Sequence, residues 1–204
     1  MRTPYLYDDG EENWMHKYHL GCGGVYLADY TNCDIEGISA LEHPDLVQQN
    51  MTTIQDYYAG LDGSMCALPK RRQTVYDVCS DATRFADMPQ MIDKIVAIQL
   101  FEHFTPASAI KTLGRWYSNL RRGGVLVMSV PDMTGTLELI ERGNGSTEFA
   151  LRHLRGRMGD KHNTHQAWYT KETLTELLGT MGFSSINELP NMHFYPAITV
   201  KAIK

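Results

Sequence analysis

The feature that most constrains this chain is a short run, Lys94-Ile95-Val96-Ala97-Ile98, that leaves almost no polar position on either alternate set. Successive side chains of a strand point to opposite faces. A strand that is apolar at nearly every position is therefore buried on both, as in a parallel sheet covered by helices. The run Val125-Leu126-Val127-Met128-Ser129-Val130 repeats the pattern and stops at Pro131. Between the two, residues 106–120 read as a helix. Pro106 sits in its first turn, where a missing N–H does no harm, and Arg121-Arg122-Gly123-Gly124 closes it. A strand, a helix and a second strand in that order make parallel neighbours.

The rest of the chain extends this alternation. Strands are expected at 17–20, 30–35 and 74–79, with a helix near 44–58 carrying Leu46, Val47, Met51 and Ile54 close to helical spacing. Helices are expected near 135–142 and 146–157, and a further one capped by Thr170 and running to Gly179. Two last strands, near 184–189 and 195–202, flank a Pro190-Asn191 turn and read as an antiparallel hairpin at one edge. The class is α/β, a mostly parallel sheet with helices on both faces and an antiparallel C-terminal hairpin. The 204 residues suit one domain, 1–204, with 1–16 as an N-terminal arm and 36–72 as a lid or interface insertion.

Composition narrows the function. A net charge of −5 and a pI near 5.9 do not favour non-specific nucleic-acid binding. The basic clusters, Lys70-Arg71-Arg72 and residues 152–157, read as solvated faces. No apolar run approaches the roughly eighteen residues of a membrane span, and the first residues lack a signal core. Cys22, Cys33, Cys66 and Cys79 form no Cys-x-x-Cys pair, so a reduced, cytoplasmic setting is expected.

Chemistry gathers at the ends of the expected strands. His19-Leu20-Gly21-Cys22-Gly23-Gly24 follows the first strand, and glycines there let a backbone approach a ligand closely. Ligands of open α/β sheets bind at the carboxyl ends of the strands. Asp34 ends the next strand, where a carboxylate can accept hydrogen bonds from a ribose diol; alone it reads sooner as a helix cap or turn aspartate, and the glycine turn beside it tips the balance. It follows Gly23 by 11 residues, whereas a dinucleotide fingerprint places its acid about 20 residues on, after a full helix. That weighs against NAD or FAD. Asp81-Ala82-Thr83 follows the third strand, and Asp81 reads either as a cap or as an adenine contact. Gln99-Leu100-Phe101-Glu102-His103 follows the central strand; Glu102 and His103 read foremost as structural partners tying the strand end to a neighbouring loop.

On His19 to Gly24, Asn32-Cys33-Asp34, Asp81-Ala82, residues 93–103 and Arg122-Gly123-Gly124-Val125-Leu126, the chain resembles the class I S-adenosylmethionine-dependent methyltransferases. The resemblance is strongest to a small branch whose first motif reads Leu-Gly-Cys-Gly, methyltransferase type 11-like, and spans residues 17–130, more loosely the remainder. It implies a Rossmann-like fold and S-adenosylmethionine as cofactor. It further implies a binding set of Gly21, Cys22 and Gly23 toward the methionine part, Asp34 on the ribose, Asp81 and Ala82 toward the adenine, with Gln99 at the same edge.

Two departures stand out. His19 replaces the acidic residue that usually precedes the glycines, and the connection from Ile35 to Thr74 is long. No Asn/Asp-Pro-Pro-aromatic sequence follows the central strand, which disfavours amino-directed methylation of nucleic acid.

An acceptor hydroxyl of high pKa benefits from a general base, for which histidine is suited near neutral pH. His165, then His162 and His103, are the catalytic candidates, with Tyr169 and Trp168 lining an acceptor site. His162 and His165 lack an evident third ligand, so no metal is expected. The expected function is methyl transfer to a small-molecule or sugar-like acceptor, on oxygen or nitrogen. The alternatives are a non-catalytic S-adenosylmethionine-binding module and, further off, an NAD-dependent oxidoreductase. The partners expected are that acceptor and, as one option, a second copy of the chain; neither membrane nor nucleic acid is expected.

Overall fold

In strand β8 (Ile92–Ile98) every position is buried. Ile95 and Ala97 enter one apolar cluster, Val96 and Ile98 another. Its neighbour β9 (Leu120–Pro131) divides in the same way, with Leu126, Met128 and Val130 on the first side and Val125 and Val127 on the second. The unbroken apolar runs are thus explained by a strand pair at the centre of a sheet covered on both faces. The computed structural model describes residues 16–52, 73–87, 91–156, 162–191, 193 and 195–204.

The sheet has seven strands. In spatial order they are β10 (Ser185–Leu189), β11 (Ala197–Ile203), β9, β8, β1 (Lys17–Leu20), β3 (Thr31–Asp34) and β7 (Val78–Cys79). From β9 to β7 all neighbours are parallel. The last strand, β11, runs antiparallel to both β9 and β10, lying between them. The expected Rossmann-like, mostly parallel sheet with its antiparallel C-terminal hairpin is present. β10 forms the edge and β11 is the inner partner.

The helices are α1 (Pro44–Asn50), α2 (Pro106–Asn119), α3 (Met133–Glu141), α4 (Thr147–Arg155) and α5 (Lys171–Met181). α2 begins at Thr105, whose hydroxyl accepts the Ser108 N–H at 3.2 Å, and it buries Ala109, Leu113 and Trp116 on the first face of the sheet. α5 is capped by Thr170 as expected and ends at Gly182 in the left-handed region, φ 104°. It adds Leu174 and Leu178 to the same cluster.

Two expectations need correction. The helix from residue 44 stops at Asn50, because Met51–Thr52 (β5) is drawn into pairing with Tyr26–Leu27 (β2); residues 53–72 lie outside those described. The expected strand 74–79 is broken in two. Val75–Tyr76 (β6) pairs with Ile38–Ser39 (β4), while Val78–Cys79 joins the main sheet. The break falls at Asp77, whose carboxylate turns in to accept the Asn32 N–H at 2.7 Å. The expected arm, 1–16, lies outside the described residues except for His16. Among the described residues no helix is long and apolar enough to cross a membrane.

Candidate functional site at the carboxyl edge of the sheet

Because β1, β3, β7, β8 and β9 are parallel, their carboxyl ends lie along one edge. At the end of β1 the chain turns through two residues in the left-handed region, Gly21 (φ +61°) and Gly23 (φ +53°), which glycine adopts without a Cβ penalty. A Cβ on Gly21 would come within 2.7 Å of the Leu100 side chain, so this glycine also allows close packing. At Gly23 a Cβ would meet nothing within 4 Å. The Gly23 N–H donates to Asp34 Oδ2 at 2.9 Å, and Asp34 Oδ1 accepts the Ile35 N–H at 2.8 Å. The half-exposed carboxylate of Asp34 thus clasps the glycine turn from the end of the neighbouring strand.

Cys22 faces inward. Its thiol lies 3.4 Å from the Val75 carbonyl, its N–H donates to the Cys33 carbonyl at 3.1 Å, and burial pushes the thiol well above its ordinary range. At this turn the exposed backbone belongs to the glycines on either side.

Behind the turn lies a buried polar hub. The side-chain amide of Asn32 donates to the carbonyls of Leu27 at 3.1 Å and Tyr30 at 3.0 Å, and its oxygen accepts the Leu27 N–H at 2.9 Å. These contacts fix which amide atom is oxygen. His19 Nδ1 lies 3.1 Å from that oxygen, so Nδ1 carries the proton and donates. Burial holds the His19 imidazole down to about 4, neutral at ordinary pH. The histidine that replaces the usual acid therefore braces the β1 end against β3 as an uncharged donor.

Asp81 accepts the Thr83 N–H at 2.8 Å and the Thr83 hydroxyl at 2.7 Å, capping a short 3₁₀ turn, Ala82–Asp87. Ala82 is buried, and its carbonyl accepts the Trp116 indole N–H at 3.1 Å. Gln99 follows β8 with φ +52°, a conformation that costs a non-glycine residue roughly 1–2 kcal/mol. Its N–H donates to the Ser129 carbonyl at 2.8 Å, and its buried Nε2 has no hydrogen-bond partner among the described residues.

The next turn, Phe101–His103, meets the loop before α5. The Glu102 carbonyl accepts the N–H groups of Gln166 at 2.8 Å and Ala167 at 3.1 Å, and the Gln166 amide donates to the His103 carbonyl at 2.9 Å. His103 Nδ1 lies 3.2 Å from the Thr164 carbonyl and donates to it, which turns the Nε2 lone pair toward Glu102. His103 Nε2 and His165 Nε2 lie 3.8 Å and 3.9 Å from Glu102 Oε1, and the two rings meet edge to face at 4.8 Å.

The Glu102 side chain is 1% exposed, and neither of its oxygens has a hydrogen-bond partner among the described residues; burial pushes the carboxyl up to about 8. His165 is held down to about 4, by burial first and then by the neighbouring histidines. Gly156 (φ +70°) makes room for it, since a Cβ there would lie 2.7 Å from the ring.

The other acceptor-side candidates scatter. His162 sits 3.5 Å from Glu36 Oε1 at the surface. Trp168 is half exposed and donates its indole N–H to the Leu154 carbonyl at 2.6 Å. Tyr169 is core, its ring 5.6 Å from Phe101, and its hydroxyl is held above its ordinary range by burial and by Glu102.

Sequence reasoning named His103 and His165 as site residues and read Glu102, with His103, foremost as a structural partner tying the strand end to a neighbouring loop; it did not bring Glu102 together with His165. It also missed His193, whose Nε2 lies 3.1 Å from the Ser129 hydroxyl, itself an acceptor from Thr199 at 3.0 Å. Nothing near His193 in the sequence marks it.

No protein-family model and no curated protein matches the sequence. Solved structures do match in shape. An O-methyltransferase family protein from Burkholderia thailandensis superposes with a TM-score of 0.52 at 13% identity, over 94% of this chain and 51% of that one. The 1,6-didemethyltoxoflavin-N1-methyltransferase of the same organism, solved with that compound and S-adenosylhomocysteine, gives 0.52 at 15%, over 92% and 70%. Human N-acetylserotonin methyltransferase in complex with S-adenosylmethionine gives 0.50 at 13%, over 94% and 48%. The chain spans about half the length of the first and third of these. At such identities the likeness is one of fold: the chain has the α/β fold of the S-adenosylmethionine-dependent methyltransferases.

Proposed function

We propose that the chain is an S-adenosylmethionine-dependent methyltransferase of the Leu-Gly-Cys-Gly, type 11-like branch, acting on a small-molecule or sugar-like acceptor at oxygen or nitrogen. The observation that carries the reading is the clasp between Asp34 and the Gly23 N–H at adjacent strand ends. It sets a half-exposed carboxylate, with one acceptor position left beyond its bonds to the Gly23, Ile35 and Glu36 N–H groups, beside a turn where a Cβ would meet open space. Those residues fit a ribose diol over an exposed backbone. When bound, the cofactor supplies a methyl group on a sulfonium, ready for in-line displacement.

The chain's own work is alignment. Asp34 accepts from the ribose, Gly21 and Gly23 admit the methionine part, and Gln99 is held at the same edge by its bond to Ser129. Asp81 and Ala82 mark the adenine side, and Cys22 holds the turn from beneath. His162, His165 and Trp168 belong to the acceptor side, where His165 orients or deprotonates a hydroxyl. Tyr169 supports that loop from the core rather than lining an open face. The free thiols of Cys22, Cys33 and Cys79 suit a cytoplasmic setting. The same reading takes residues 1–204 as one domain, with 36–72 as its lid or interface.

The test is calorimetry with S-adenosylhomocysteine and with NAD. Saturable binding of the first, lost in Asp34→Ala, supports the reading. Binding of NAD instead overturns it. Binding with no methyl transfer to any of a broad pool of small acceptors, scored by a mass gain of one methyl, reduces it to a non-catalytic module.

A further inference from the structure

We propose that Glu102, His103 and His165 form a site for one divalent transition-metal ion. One ligand atom from each lies within 4.8 Å of the other two, with the carboxylate oxygen 3.8 and 3.9 Å from the two imidazole nitrogens. Bonds of about 2.0–2.2 Å to nitrogen and oxygen would draw such atoms to roughly 3–3.5 Å, a contraction that side-chain rotation supplies.

Three further observations point to a ligand. First, both Glu102 oxygens are buried with no hydrogen-bond partner among the described residues. A buried carboxyl left so is costly in either protonation state, since even the neutral acid would have an unmet donor and acceptor. Second, His103 donates Nδ1–H to the Thr164 carbonyl, which fixes the tautomer and sets the Nε2 lone pair on the Glu102 side; a metal-binding histidine is oriented by the same kind of outer bond. Third, the segment carrying His165 is fastened to the segment carrying Glu102 and His103 by three further hydrogen bonds, so the ligands from the two segments are held in place. Gly156, in a left-handed conformation, leaves the space His165 occupies.

Two imidazoles and one carboxylate suit zinc, manganese, iron or cobalt rather than calcium or magnesium, and three protein ligands leave positions for water or an acceptor oxygen. The site would then take His165 out of acid–base use and leave it an orienting role. Its test needs no cofactor, because all three ligands are side chains of this chain.

The experiment uses the full chain, stripped with a chelator and titrated with Co2+ in the absence of any cofactor. Expected are one equivalent bound, visible d–d absorption of nitrogen and oxygen coordination, displacement by Zn2+, and a rise in thermal stability with Zn2+. Glu102→Gln conserves volume, so it should keep the wild-type circular dichroism and lose both the absorption and the Zn2+ effect; His165→Ala should lose them too. The proposal is overturned if the wild type binds no ion, if Glu102→Gln binds as tightly as the wild type, or if the spectrum shows thiolate charge transfer, which assigns the ion to cysteine.

Discussion

Stability should fall by about 2.4 kcal/mol between pH 7 and pH 4.5 through one residue, His19. The imidazole is fully buried, and burial holds it down to about 4 against an ordinary 6.5. The unfolded chain therefore takes up a proton in a range where the native state does not. With a depressed native pKa on a basic group, the stabilisation is complete above about pH 6.5 and is lost as the pH falls toward 4. The full difference, 2.5 units at 1.36 kcal/mol each, is about 3.4 kcal/mol, most of it expressed by pH 4.5.

His193, His153 and other groups also titrate differently in the two states, so the wild-type slope alone is not diagnostic. The comparison is with His19→Asn. Its side-chain amide can donate to Asn32 from nearly the position of Nδ1 and does not titrate. That variant should lose roughly 1–3 kcal/mol at every pH for the missing ring atoms, and be less pH-dependent than the wild type by the stated amount. Urea unfolding at the two pH values measures all four stabilities. Equal pH dependence in wild type and variant would refute the claim that His19 is buried and neutral behind the glycine turn.

Other consequences are as direct. Asp34→Ala removes the acceptor of the Gly23 N–H and should weaken S-adenosylhomocysteine binding by about 1.5–3 kcal/mol, read by calorimetry; unchanged affinity places the cofactor elsewhere. Gly23→Val forces a β-branched residue to φ +53° and should abolish cofactor binding while circular dichroism stays native; normal binding would move the ligand away from this turn. His165→Ala should lower turnover about 10²–10⁴-fold if it deprotonates the acceptor, with cofactor affinity kept; a loss of stability without loss of turnover reduces His165 to a loop anchor.

What the sequence made legible follows the range of the interactions. The apolar runs in β8 and β9, the proline-started α2 and the Thr170 cap are local patterns, and the structure has each within a few residues. The glycine turn and Asp34 were readable because neighbouring parallel strands bring their ends together. The break at Asp77 was not. It depends on a bond to Asn32, 45 residues away, and nothing in Thr74-Val75-Tyr76-Asp77-Val78-Cys79 forbids a continuous strand. The burial of Tyr169 was hidden for a related reason: an aromatic ending a polar loop suits an acceptor wall and a core anchor alike, and its packing on Phe101 is a contact with a residue far off in sequence.

The acceptor side shows the same limit more sharply. Thr164 meets His103 across 61 residues and Gln166 meets it across 63, so the sequence marks the segment as a polar, histidine-bearing acceptor loop without showing what it docks against. Its order comes from the other partner. Glu102 and His103 present two carbonyls and two side chains at a tight turn just past β8, and the loop answers them with two backbone N–H groups, the Thr164 carbonyl and two side chains. A segment matched this closely is fixed by the sheet rather than by its own propensity. Chemistry assigned to His165 therefore belongs jointly to the end of the central strand. A substitution in either segment that disturbs this docking should change acceptor-side behaviour while leaving the Asp34 clasp, fastened to other strands, intact.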